Sequence, residues 1–225
     1  MKKHPWLFGR NVVCASALLV AGALWAAGWV KYEAQPAGSS VKIDGTSTLH
    51  DWTVEGKLIR GSMEFEEGVE IDPTQKTIPG LKEGKLNARV EVSILVRSLK
   101  SGKSSMDSVM QQAMKQKEFP TIEYRMKEMV LKEPHTSGTP FVFDTKGELT
   151  VSGVTRTNLM QVSIDRVDKD KLKATGSTNV KMTDFGIQPP SPKMAAGLIK
   201  TGDDVKITFE WLLALPAKTA DASQK

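Results

Sequence analysis

Cysteine is almost absent. The 225-residue chain has one, Cys14, inside an uncharged N-terminal run. The remainder therefore has no intramolecular disulfide, thiolate metal site or cysteine nucleophile. Cys14 is no lipoprotein cysteine either, because Asn11-Val12-Val13 precede it near the start of the run rather than small residues at its end. Histidine is equally scarce. His4 lies in the leader, and His50 and His135 lack the i+2 or i+4 partner that a metal site would need. No HExxH, GxSxG or P-loop spacing occurs, so the sequence offers no catalytic constellation and no site for a metal or other cofactor. A binding protein, not an enzyme, is expected.

Aromatic residues make up only 6% of the chain, too few for a base-stacking surface. The formal net charge of +5 also misleads. Lys2, Lys3, Arg10 and Lys31 supply four of those charges, and the rest is near neutral with lysines and glutamates interspersed. Nucleic acid is excluded as a partner. The paired acids Glu66-Glu67 and Asp203-Asp204 read as solvated strand ends, and Pro189-Pro190-Ser191-Pro192 as a stiff loop.

Residues 1–31 form a targeting segment. A positive start precedes the run Val12 to Val30, which carries no charge, and Lys31 closes it. This is the pattern of an export signal, yet the run approaches the roughly 20 residues needed to span a bilayer. Signal peptide and retained anchor helix both remain open. Small-residue sites occur at Ala21-Gly22-Ala23 and Ala26-Ala27-Gly28, while Trp25 and Trp29 suit an interfacial belt. Either way the mature part is expected outside the cytoplasm, in the periplasm or an equivalent compartment, with membrane contact through this segment if it is uncut. Residues 32–40 read as a polar linker, 41–215 as one domain and 216–225 as a flexible tail.

Within the domain, strict two-residue alternation dominates. Leu86, Ala88, Val90, Val92, Ile94 and Val96 share one face, as do Leu172, Ala174, Gly176, Thr178, Val180 and Met182. Val205, Ile207, Phe209, Trp211 and Leu213 form another such series. These are half-buried antiparallel strands. Past Lys103 the period changes. Met106, Val109, Met110, Ala113 and Met114 fall on one stripe of a short amphipathic helix, with Ser104 and Asp107 placed like a capping pair. Glu118-Phe119-Pro120 stops the helix before the alternation resumes at Thr121. The expected fold is all-β: an antiparallel lipocalin-like barrel of about eight strands with one short amphipathic helix, read either as a lid on the barrel mouth or as an ordinary core-packed helix, preceded by the N-terminal apolar helix. Bulky inward residues mix with small ones, a pattern compatible with a cavity or with a complementary packed core.

An ordered set of local motifs sharpens this reading. It comprises Ile43-Asp44-Gly45-Thr46-Ser47-Thr48-Leu49-His50-Asp51-Trp52-Thr53-Val54, Gly61-Ser62-Met63-Glu64-Phe65 and Met106-Asp107. Glu118-Phe119-Pro120-Thr121-Ile122-Glu123-Tyr124 and Gly147-Glu148-Leu149-Thr150-Val151-Ser152-Gly153-Val154-Thr155-Arg156 follow. Met182-Thr183-Asp184-Phe185-Gly186-Ile187 and the Phe209 strand complete it. In this order they resemble the YceI family of exported, lipocalin-like barrels that bind polyisoprenoids and other amphipathic lipids. The chain departs from the commoner family form before the helix, where Ser105-Met106-Asp107-Ser108-Val109-Met110 replaces an Arg-Asp-x-His-Leu segment. Contacts belonging to that arginine or histidine do not carry over.

The resemblance implies an amphipathic lipid or isoprenoid partner, for carriage or sequestration, and leaves a homodimer open. The candidate lining is Leu49, Trp52, Val90, Val92, Ile94, Met106, Met110, Tyr124, Met126, Val162, Ile164, Val180, Phe209 and Trp211. A scaffold role in a membrane redox or stress-response complex, with a packed barrel, is the competing expectation. The leader can be tested directly. N-terminal sequencing of membrane and soluble fractions should find either an intact start, for an anchor, or a soluble species beginning near Gly28, for a cleaved signal.

Overall fold

A closed sheet follows from the alternating segments. The computed structural model describes residues 28–191 and 199–216. It contains ten strands: β1 (Trp29–Ala34), β2 (Ser40–Ser47), β3 (Trp52–Gly56), β4 (Ile59–Glu66), β5 (Ala88–Leu95), β6 (Thr121–Leu131), β7 (Phe141–Val151), β8 (Val154–Asp168), β9 (Lys171–Lys181) and β10 (Thr201–Ala214). One helix, α1 (Ser104–Ala113), stands between β5 and β6.

The strands occupy eight lanes. β1 pairs antiparallel with β4 and, through Glu33 and Ala34, with Ala214 and Leu213 of β10. β2 pairs with β10 further along and with β3 on its other side. Thus β1 and β2 are two pieces of one kinked strand, and β3 and β4 are two pieces of the next. From β4 the sheet runs through β5, β6, β7, β8 and β9 to β10, where it closes. The expected barrel of about eight strands with one helix is what the structure shows. The expected N-terminal helix lies outside the described residues.

The domain starts earlier than the sequence reading placed it. Residues 32–34, read as linker, belong to β1, and the Gly28 carbonyl accepts a hydrogen bond from the Glu67 amide. Trp29, assigned to an interfacial belt, instead stacks under the Arg89 guanidinium at 3.7 Å. The uncharged run and the barrel therefore overlap at Trp29 and Val30.

The barrel has two unlike poles. At one, the chain enters at Gly28 and leaves after Ala214. A long loop over residues 67–87 folds across this pole, burying Ile71, Ile78 and Leu86. The Arg166 guanidinium holds it by donating to the Ile71 carbonyl at 2.6 Å, and the Ser137 hydroxyl by donating to the Thr74 carbonyl. Phe65, Phe141, Phe143, Leu172 and Leu213 pack beneath without solvent contact. His135, in this region, stacks on Phe141 at 4.0 Å, a structural role. The opposite pole carries α1, the β2–β3 hairpin tip and the 3-10 turn Thr183–Phe185.

Three inward glycines explain how the wall accommodates aromatics. Trp52 lies over Gly45, Tyr124 over Gly147 and Phe209 over Gly176, each so close that a Cβ would overlap the ring. The rings lie flat along the wall instead of filling the lumen. Of the small inward residues noted in the sequence, Gly176 is thus covered and leaves no gap of its own. Replacing Gly147 with alanine should displace the Tyr124 ring and cost about 1–3 kcal/mol, as overpacking typically does. A lowered urea midpoint would register it, and combining the change with Tyr124→Leu should recover part of the loss.

Candidate functional site

The lumen holds two apolar chambers. The inner one, of about 120 Å³, is surrounded by residues from β2 and β4 to β10. Val90, Val92, Ile94, Tyr124, Met126, Val162, Phe209 and Trp211 line it, all from the expected set, along with Met63, Met129, Met160 and Ala174. The outer one, of about 370 Å³, lies under the helical pole. Leu49, Trp52, Met106, Met110 and Val180 line it, again as expected, together with Val109, Ala113, Met114, Met182 and Phe185. Ile43, Ile122 and Ile207 border both chambers, which therefore adjoin.

One expected residue is misplaced. Ile164 lines neither chamber. It is fully buried toward the closed pole, beside Phe141 and Ala174 in the sheet register, where side chains fill the lumen. The alternation in β8 correctly turned Ile164 inward, but inward differs from cavity-lining once the barrel end is packed. Sequence reasoning also passed over these three isoleucines, although Ile122 and Ile207 belong to alternating series and Ile43 opens the first motif. Depth along the lumen depends on strand stagger, which the period does not encode.

The helix covers the outer chamber with the predicted stripe. Met106, Val109, Met110, Ala113 and Met114 all face it. Its start differs from the expected capping pair. Lys103 occupies the N-cap without a side-chain bond, and Asp107 reaches back to the preceding loop instead. The Asp107 carboxylate accepts from the Ser101 amide and the Ser101 hydroxyl, both at 2.7 Å, with the Lys100 ammonium at 3.6 Å. Asp107 is 8% exposed, so these bonds replace its water. At the other end, the Ser152 hydroxyl donates to the Met114 carbonyl at 2.9 Å, and Lys115 ends the helix in a left-handed conformation. The lid is therefore pinned at both ends, to the β5 side and to the β7–β8 turn.

The hairpin tip is similarly fixed. The Ser47 hydroxyl donates to the His50 carbonyl and accepts from the His50 amide. The Trp52 indole donates to the Thr46 carbonyl at 3.0 Å, and across the gap the Thr48 amide donates to the Lys200 carbonyl while the Lys200 amide donates to the Thr48 hydroxyl. His50 borders the outer chamber, with its Nδ1 at 2.7 Å from the Asp51 carbonyl.

Polar chemistry in the inner wall is sparse. Asn158 donates to the Thr178 hydroxyl at 2.9 Å, and Thr145 donates to the Met160 carbonyl. The Tyr124 hydroxyl and the Trp211 indole N–H are buried without hydrogen-bond partners among the described residues. Burial raises the Tyr124 pKa above the ordinary phenol value, with the nearby Thr145 hydroxyl a smaller opposing influence. Tyr124 is thus held neutral. Among the described residues, no group of three or more histidine, cysteine or acidic side chains is placed to hold a metal. Nor is any helix there long and apolar enough to cross a membrane.

A closed eight-lane antiparallel barrel around adjoining apolar chambers defines a lipocalin-like barrel. The chain belongs to the family of YceI-like domains, whose model matches residues 32–212. Its fold is similar to that of BcnA from Burkholderia cenocepacia, with a TM-score of 0.58 at 15% identity over 80% of this chain and 98% of the other. It is likewise similar to a polyisoprenoid binding domain from Saccharophagus degradans implicated in plant cell wall breakdown, with a TM-score of 0.57 at 12% identity over 84% of this chain and 100% of the other. The YceI protein of Campylobacter jejuni matches with a TM-score of 0.50 at 18% identity, covering 73% of this chain and 85% of that one. No curated protein matches the sequence.

The Asp107 clasp sets an acid limit on the lid. Hydrogen bonds from the Ser101 amide and hydroxyl, more than the Lys100 charge, hold the Asp107 pKa below its usual value of 3.8. A depressed carboxylate contributes stability that is present above the unfolded pKa and lost as pH falls through the folded one. Thermal melts should therefore hold level from pH 6 to about 4 and decline below 3.8, with Asp44, Asp72 and Asp203 adding to the fall because theirs are also lowered. Asp107→Asn should melt lower at pH 6 and fall less steeply in acid, with faster amide exchange in α1.

Proposed function

We propose that this protein is an exported, non-enzymatic carrier or sequestering protein for an amphipathic lipid of polyisoprenoid type, held in the barrel lumen. The observation that carries this reading is the pair of adjoining chambers, whose walls are built mostly from aliphatic, methionine and aromatic side chains. Buried apolar area contributes about 25 cal/mol per Å², so a long hydrocarbon needs few polar contacts to be retained. The methionine-rich lid adds thioether side chains that adapt to a branched chain. A solved relative in fold is itself described as a polyisoprenoid binding domain. The N-terminal pattern of positive charge followed by an uncharged run supports export.

Organic extraction of the purified protein followed by mass spectrometry tests the reading. A stoichiometric isoprenoid or similar lipid is expected, and an empty extract from protein that also fails to take up added polyprenol would favour the accessory-protein alternative. Met110→Asp places a charge against the outer chamber and should lower lipid retention at least tenfold, because an unpaired carboxylate facing hydrocarbon is strongly disfavoured. Unchanged retention in a folded variant would remove α1 from the site.

A further inference from the structure

The outer chamber opens where lining residues are also exposed to solvent. Leu49, at the β2–β3 tip, is 67% exposed, and Val109, on α1, is 36% exposed; both line the chamber. His50, Lys103 and Ser105 complete this rim and are exposed as well. A large aliphatic side chain left in water at a mobile tip would mean little. Here the turn beneath Leu49 is locked by the Ser47, Trp52 and Thr48 bonds described above, so the side chain is held outward. Exposed apolar residues around a pocket opening mark an interaction surface.

Charge and topology identify the partner. Lys103 stands on the rim, and Lys200 is tied through its backbone to Thr48 at the hairpin tip; both are exposed. Asp51 is the acidic residue of the hairpin tip. Aliphatic tips flanked by lysines suit the surface of an anionic bilayer, where the apolar groups enter the headgroup layer and the ammonium groups meet lipid phosphates. A protein groove would instead call for a larger, more polar-ringed face.

The rim also lies at the pole opposite the chain entry. Gly28 and Trp29 are fixed at the closed pole, and an eleven-residue strand such as β7 carries the wall roughly 25–30 Å away from it, given a rise of about 3.3 Å per residue and a tilt near 40°. We infer that the mouth rim around Leu49, Val109, Lys103 and Lys200 docks end-on to an anionic bilayer surface. The N-terminal pole then points away from that bilayer. This inference rests on the lipid reading for its purpose, but its test does not require a loaded ligand.

The full chain carrying Cys14→Ser and either Leu49→Cys or Lys76→Cys, labelled with an environment-sensitive fluorophore, provides the experiment. Lys76 lies in the loop over the closed pole. On adding phosphatidylethanolamine–phosphatidylglycerol vesicles, the position-49 label should shift blue and become accessible to lipid-borne quenchers, while the position-76 label stays unchanged. Phosphatidylcholine vesicles or high salt should reduce the shift severalfold, as should Lys103→Ala with Lys200→Ala. A shift at position 76 alone, at both positions, or at neither would overturn the inference. Because polyprenol extraction is scored separately, a lipid-loaded protein without the position-49 shift would reject the docking face and keep the carrier reading.

Discussion

Everything in this molecule depends on the closure of the sheet by one kinked strand. Its first half, β1, bonds to β4 and reaches β10 at the chain-entry pole, and its second half, β2, bonds to β10 and β3 toward the helical pole, so neither neighbouring lane is left with a free edge. Unpaired edges are costly and prone to adventitious pairing, and a barrel removes them. Closure also fixes the lumen, because eight lanes leave an interior that side chains can fill or one slender ligand can occupy. Here both happen. Phenylalanines and leucines fill one pole, and the other is hollow.

The hollow part owes its shape to a division of labour between ring and glycine. Trp52, Tyr124 and Phe209 lie against Gly45, Gly147 and Gly176 of neighbouring strands, so their bulk lines the wall without crossing the lumen. The same arrangement stiffens the wall, since each ring is seated against backbone. The lid is held differently, by single polar contacts at each end: Asp107 to Ser101, and Ser152 to the Met114 carbonyl. Such contacts are individually modest and open at lower free-energy cost than the packed sheet, so local opening is least costly at the helical pole.

Much of this was legible in the sequence. Two-residue alternation gave β5, β9 and β10, and the change to helical spacing at Met106 located α1 and its covering face. Thirteen of the fourteen candidate residues line a chamber, because period alone tells which side chains point inward. Period does not tell depth. Ile164 obeys the alternation yet lies in the plugged end, and Ile43, Ile122 and Ile207 gain their position on the border of both chambers from stagger between distant strands. The domain start was misread for a different reason. Trp29 and Val30 continue an uncharged run, so hydropathy assigned them to the leader, whereas pairing with Glu66 and Phe65 places them in the sheet. Partners so remote in sequence are invisible to local pattern, as was the return of Asp107 to Ser101 in place of a helix cap.

The border between the chambers carries a consequence of its own. Its three isoleucines are β-branched and held on paired strands, so they have little rotamer freedom. The methionines on either side of it, Met126 and Met160 in the inner chamber and Met106 and Met110 in the outer, are unbranched and can change rotamer. Each chamber can thus be reshaped without moving the wall that the two have in common.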